Sequence, residues 1–335
     1  MERRNLLKAA GLFAAAPLAA PMLARQAGAQ EKKYTFYHIL WSMSDSNAQF
    51  HAQSGAKYMQ ERPDVEIRYV GPEAYDPAEH AKFLDTVINA KPDGIAMHIS
   101  SADSMLPGLK AAKEAGIPFV SVTSHPPSEE DNAKLDGLYL AWVGADESKI
   151  GGVVGRRLLQ EVPEPKRVAY LFAHLGHAGH QQRAAGFYES MPEGTAHDDV
   201  VIGEEPQAAK DALRSYLTAN ADVTALFAGQ NSNKWVTDVL DELGRTDVII
   251  LTSDDAPSSL ECILAERCLA SFTQQFPIQA PFAYEVLLQY NETGMYPTGP
   301  ILTGPAVLDA SNVETFKTQV MGVFGEEGYY SLSPF

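Results

Sequence analysis

From Tyr34 onward, short apolar runs alternate with longer stretches whose apolar residues recur every three or four positions, a rhythm that few folds accommodate. The runs at 34–41, 65–70, 93–99, 118–123 and 138–144 predict strands. The intervening 48–61, 78–90 and 104–115 predict helices. After Gly144 the rhythm restarts, with helices predicted over 149–160, 181–191, 207–218 and 234–243 and strands over 167–172, 200–203, 225–228 and 247–252. A last strand at 268–273 feeds a helix at 277–290, and 296–313 reads as irregular and turn-rich. Such alternation implies an α/β fold with parallel sheets covered by helices on both faces. At 335 residues the chain exceeds what one hydrophobic core usually holds, so the two tandem copies predict two lobes.

The first thirty residues are different in kind. Arg3 and Arg4 precede an apolar run from Leu6 to Leu23, and Ala27-Gly28-Ala29 supplies a small-x-small cleavage pattern. This reads as an export signal cleaved near Ala29, and the paired arginines resemble the twin-arginine class. The formal charge of −17 contains four basic residues and one acidic residue from that segment, so the mature chain would carry −20. Such acidity, with no basic cluster, argues against nucleic acid or an anionic membrane as partner. The two cysteines, Cys262 and Cys268, are too few for a disulfide scaffold; a local pair and two free thiols are both open.

In open parallel sheets, ligands bind beyond the carboxyl ends of the strands, which here are polar throughout. These ends place Ser42, Asp45 and Asn47, then His98, Thr123 and Ser124, then His177, Gln181 and Arg183, and finally Gln230, Asn231 and Asp254 around one expected cleft. Trp41, Phe50, Trp142, Trp235 and Phe276 lie nearby as core residues or as platforms for a ligand's C–H face, with Phe50 and Trp235 the first choices for platforms. His174, His177 and His180 stand three apart, a spacing that would suit a metal on a continuous helix. Gly176 and Gly179 interrupt that helix, and no cysteine or carboxylate lies within the stretch, so a cleft wall is the better reading. No metal or other cofactor is expected.

Several segments, in order, resemble the type I periplasmic sugar-binding proteins, the ribose-binding-like receptors of ABC importers. They are AAKEAGIPFVSV, VGADESKIGG, RAAGF, ADVTALFAGQN, IILTSDDAPSSLECI, LASFTQQFP and the asparagine of DASNVETF, spanning about Tyr34 to Phe316. The resemblance implies two doubly wound lobes joined by three strands, here 30–143 with 276–303 and 144–275 with 304–335, closing on ligand by hinge motion. It implies that Asp254 accepts hydrogen bonds from sugar hydroxyls and that Gln275 is the hinge glutamine. Gln230, Asn231 and His98 fall at further polar positions of the family's site. Thr123-Ser124 replaces the Asp-Arg pair of ribose receptors, and Gln181 replaces the first arginine of the helix-start motif, leaving Arg183. These departures point away from ribose toward another sugar or a polyol.

The resemblance implies a noncatalytic, monomeric receptor in the periplasm that delivers its ligand to an inner-membrane ABC permease. A sensory receptor with the same binding lobes is the alternative. No HExxH, GxSxG, Walker A or GxGxxG motif supports an enzyme. A sugar-responsive repressor would need a DNA-binding helix-turn-helix where this chain has an export signal.

Overall fold

The computed structural model describes residues 33–332 apart from 100, 124–128, 176–177 and 231. The segment expected to be an export signal lies outside the described residues. In chain order the first elements are β1 (Tyr34–Ile39), α1 (Ser46–Glu61), β2 (Val65–Val70), α2 (Pro77–Asn89), β3 (Gly94–Met97), α3 (Ala102–Glu114), β4 (Phe119–Thr123), α4 (Glu129–Leu135) and β5 (Trp142–Ala145). They are followed by α5 (Glu147–Glu161), β6 (Arg167–Phe172), α6 (Ala178–Glu189), β7 (Ala196–Val201), α7 (Pro206–Ala219), β8 (Val223–Ala228), α8 (Asn233–Leu243), β9 (Ile249–Leu251), α9 (Pro257–Leu264) and β10 (Ala270–Thr273). The chain ends with α10 (Phe276–Thr293), β11 (Ile301–Gly304), β12 (Ala306–Asp309) and α11 (Val313–Ser331).

Two six-stranded sheets result, ordered β11-β5-β4-β3-β1-β2 and β12-β10-β9-β8-β6-β7. The described pairings are parallel except that β12 runs antiparallel to β10. Every residue of β3 and β4 is buried, which explains why these strands read as unbroken apolar runs: helices cover both faces of a parallel sheet. The chain passes between the sheets three times, after β5, between β10 and α10, and between β11 and β12. The turn-rich stretch at 296–313 therefore contains two short strands, one for each sheet, and the crossing between them.

Four further segments depart from the sequence reading. β7 begins at Ala196, four residues before the expected start at Val200, because the edge strand AHDDVV turns polar side chains outward. α4, α9 and α11 have no counterpart in the expected elements. In α11, glycines at 322, 325 and 328 blur the helical signal, and Gly325 breaks the helix with φ 75° and ψ 167°. Tyr329 and Leu332 nonetheless bury fully beyond that break. Cys262 and Cys268 form a disulfide across the turn from α9 to β10.

Candidate functional site

The carboxyl ends of both sheets meet at a cavity of about 300 Å³, continued inward by a section of about 110 Å³. Of the expected site residues, Asp45, Asn47, Gln230, Trp235 and Asp254 line the outer part. The inner part is lined by His98, Thr123 and Arg183, with Asp45, Asn47 and Asp254 shared between the two. Ser124, His177 and Asn231 lie outside the described residues.

Four expectations do not reach the cavity. Phe50 is a core residue, fully buried, with its ring parallel to Phe276 at 6.5 Å and 5.7 Å from Phe324, so it has no face to offer a ligand. The Ser42 hydroxyl donates to the Glu73 carbonyl at 2.9 Å and shapes the β1–α1 loop. Gln181 turns outward, its amide donating to the Leu175 carbonyl. Gln275 takes the N-cap of α10, its backbone N–H donating to Thr273 Oγ1 at 2.8 Å, while its neighbour Gln274 enters the lining.

Local backbone geometry marks the same place. Thr123, Asp254 and Gln275 hold φ values of 72°, 60° and 55°, a left-handed region costly for residues other than glycine. All three end strands at the cleft or at a crossing, where such strain commonly accompanies function. The Ser271 hydroxyl fixes the Asp254 turn by donating to its carbonyl at 2.7 Å.

Asp254 is the centre of the site. It is buried, and burial raises its pKa while the Arg183 charge opposes that shift. Asn47 Nδ2, from α1, donates to its Oδ2 at 3.3 Å, and Gln274 Nε2 donates to its Oδ1 at 2.9 Å. The carboxylate thus joins a residue of the first sheet's lobe to one at a crossing.

Arg183 is not a free cation. Its guanidinium donates to Glu147 Oε2 at 2.9 Å and 2.7 Å, with both side chains 3% exposed, and stacks over the Phe272 ring at 4.5 Å. The pair exists because α5 and α6 touch backbone to backbone: a Cβ on Gly151 would lie 1.9 Å from the Arg183 carbonyl oxygen. Gly186 is equally constrained, 2.0 Å from the Ser148 carbonyl oxygen. The motif residues Gly151 and Gly186 are therefore packing requirements that bring Glu147 and Arg183 together.

Trp41 lines both sections, its ring edge-on to His51 at 5.3 Å and tilted against Phe276 at 6.2 Å. Asp45 lines both sections beside it and caps α1 by accepting from the Asn47 and Ala48 backbone N–H groups at 2.7 Å and 3.0 Å. Trp235, on α8, faces the outer section from the other sheet's side. His180 lines both sections; His174 sits at the rim, 3.3 Å from Glu204. Among the described residues, no three His, Cys, Asp or Glu side chains converge as metal ligands. Sequence reasoning passed over Gln274, Glu147, Glu204 and Tyr75. Tyr75 was within reach of the strand-end rule, because it follows β2.

A family model described as "Periplasmic binding protein domain" matches residues 39–293. The chain belongs to that family. The periplasmic binding protein is 27% identical over 265 residues to a xylose/arabinose-binding protein, XylF, of Sulfolobus acidocaldarius. The match covers 76% of this chain and 65% of XylF. A carbohydrate transporter from Acidothermus cellulolyticus, solved with myo-inositol, superposes with a TM-score of 0.76 at 20% identity, covering 89% of this chain and 99% of that one. A solute-binding protein from Actinobacillus succinogenes, solved with D-allose, gives 0.75 at 18% identity, covering 84% and 100%. Those structures share the two-lobed fold. Among the described residues, no helix is long and apolar enough to cross a membrane.

Proposed function

We propose that this periplasmic binding protein is the exported solute receptor of an ABC importer, taking a sugar or polyol between its lobes for delivery to a permease and performing no chemistry on it. The observation that carries this reading is the buried Asp254 carboxylate, hydrogen-bonded by Asn47 and Gln274 and open to a cavity with Trp41 and Trp235 on its walls. Planar carboxylate and amide groups match adjacent hydroxyls, and indole faces match the C–H surface of a sugar ring. The XylF match, whose printed name gives xylose and arabinose, and the sugar and polyol bound in the two neighbours support the ligand class.

In this reading the binding residues are Asp45, Asn47, His98, Thr123, Arg183, Gln230, Trp235 and Asp254, joined by Trp41 and Gln274. The lobes that close are 30–143 with 276–303 and 144–275 with 304–335. The test is a thermal-shift screen of the chain from Gln30 against pentoses, hexoses, polyols and divalent metals, with a chelator control. A ligand at a hundred times its Kd stabilises by about 2.7 kcal/mol, on the order of 5–10 °C. A sugar or polyol shift that survives chelator is expected. A shift with metal alone would sink this reading.

A further inference from the structure

The hydrogen-bond polarity of the cleft carries information about its ligand that the fold does not. Asn47 and Gln274 each turn the amide nitrogen to Asp254, and a carboxylate can only accept, so the orientation of both amides is forced. Their oxygens, Asn47 Oδ1 and Gln274 Oε1, are buried without a hydrogen-bond partner among the described residues. Asn47 is 9% exposed and Gln274 2%, so neither oxygen is satisfied by bulk water. At the outer section Gln230 also commits its amide nitrogen to the protein, Nε2 donating to the Gly203 carbonyl at 2.9 Å. The Thr123 hydroxyl likewise donates away from the cavity, to Gln279 Oε1 at 3.1 Å.

Charge points the same way. Arg183, the one cation lining the inner section among the described residues, is committed to Glu147, whereas Asp45 and Asp254 repel each other across the site. Among the described residues, Asn47, Gln274, Gln230 and Thr123 have thus committed donors to other protein groups. An unmade bond to a buried acceptor is expensive, so a ligand that supplies donors gains more than one that brings further acceptors or negative charge.

We infer that Asp254 sets the polarity of the cleft: by holding the nitrogens of Asn47 and Gln274 it leaves their oxygens to select hydroxyl- or ammonium-bearing ligands and to reject acidic sugars. The inference rests on the receptor reading above and goes further by dividing the sugars into those the site admits and those it refuses. Replacing Asp254 with asparagine keeps the shape but supplies only one side-chain acceptor. One of the two amides must then rotate and turn its nitrogen toward the ligand.

The experiment is titration calorimetry of the chain from Gln30 with D-glucose, D-galactose, D-xylose and L-arabinose. D-glucosamine and D-galactosamine are the amino forms. D-glucuronate and D-galacturonate are the acidic forms, equivalent to D-xylose and L-arabinose carrying a carboxylate on C5. The neutral or amino form is expected to bind at least a hundredfold more tightly than the acid of its series. In Asp254→Asn, whose folding is checked by circular dichroism, that ratio is expected to fall below tenfold. A second variant, Gln274→Met, removes one orphan oxygen and is expected to weaken the neutral sugar and narrow its lead over the acid. Acid binding within tenfold of the neutral sugar, or a ratio unmoved by Asp254→Asn, would overturn the polarity inference and leave the receptor reading standing. Binding of no member of any series would overturn the polarity inference, and the receptor reading falls with it only if the thermal-shift screen also finds no sugar or polyol.

Discussion

Asp255, the neighbour of Asp254, occupies a site that suits a neutral side chain. It is fully buried, accepts one hydrogen bond from Thr273 Oγ1, and leaves its Oδ1 without a partner among the described residues. Burial lifts its pKa from 3.8 to about 7, so the folded state holds a proton that the unfolded state has released. Its stabilising contribution is therefore complete below the unfolded value of 3.8 and lost as pH rises toward and through about 7. Asp255→Asn keeps the shape without the titration. Denaturant melts should show the variant gaining stability relative to the parent between pH 5 and pH 8; a constant difference would mean that Asp255 is ionised in the fold. His51 and His80 work on the opposite side: burial lowers them to about 3 and about 4, so protonation of the unfolded chain below pH 6.5 destabilises the fold on the acid side.

At the scale of elements, α11 is the longest helix with no sequence forecast, and it makes the most specific claim on stability. Beyond the Gly325 break, Tyr329 is fully buried in a cluster that mixes residues of α9 and β12 with Phe50 of α1. Gln53 of α1 donates to Ser331 Oγ at 3.2 Å, so the C-terminal turn touches both lobes. Tyr329→Ala should cost about 3–4 kcal/mol, read as a lower urea midpoint at unchanged slope. A loss below about 1 kcal/mol would mean the last turn is not docked in solution. The contrast with the rest of the chain explains what sequence could show. Strands such as β3 and β4 are buried on both faces and announce themselves as apolar runs, whereas α11 buries only Val313, Val320 and Tyr329 along its helical length and is studded with glycine. The same logic divides the site. Asp254, Asn47 and Trp235 were legible because strand ends are polar and few. Phe50 was misplaced because an aromatic at a helix start looks alike whether it faces the cleft or the core. Gln274 was missed because TQQFP offers two adjacent glutamines, and only the backbone decides which one turns inward.

For the whole molecule the question is how two sheets on three crossings move. Gln279 of α10 ties the crossings together: its Oε1 accepts from Thr123, and its Nε2 donates to the Gln274 carbonyl at 2.9 Å and to Thr303 Oγ1 at 3.2 Å. Trp142 adds the first crossing, its indole N–H donating to the Thr123 carbonyl at 3.1 Å. These bonds lie at the pivot, where lobe rotation changes distances least, so they can persist while the cleft opens. The Asn47–Asp254 bond lies beyond the pivot and joins the lobes through the site itself, at 3.3 Å. Rotation about the crossings should therefore be coupled to occupancy, because ligand adds bonds to both lobes only when they are together. Solution scattering of the chain from Gln30 should show a smaller radius of gyration with saturating ligand. Gln279→Leu, which removes the pivot's cross-links, should widen the unliganded distribution and weaken ligand binding. Identical scattering profiles with and without a tightly bound sugar would mean that the lobes are held fixed and the cleft admits its ligand without closing.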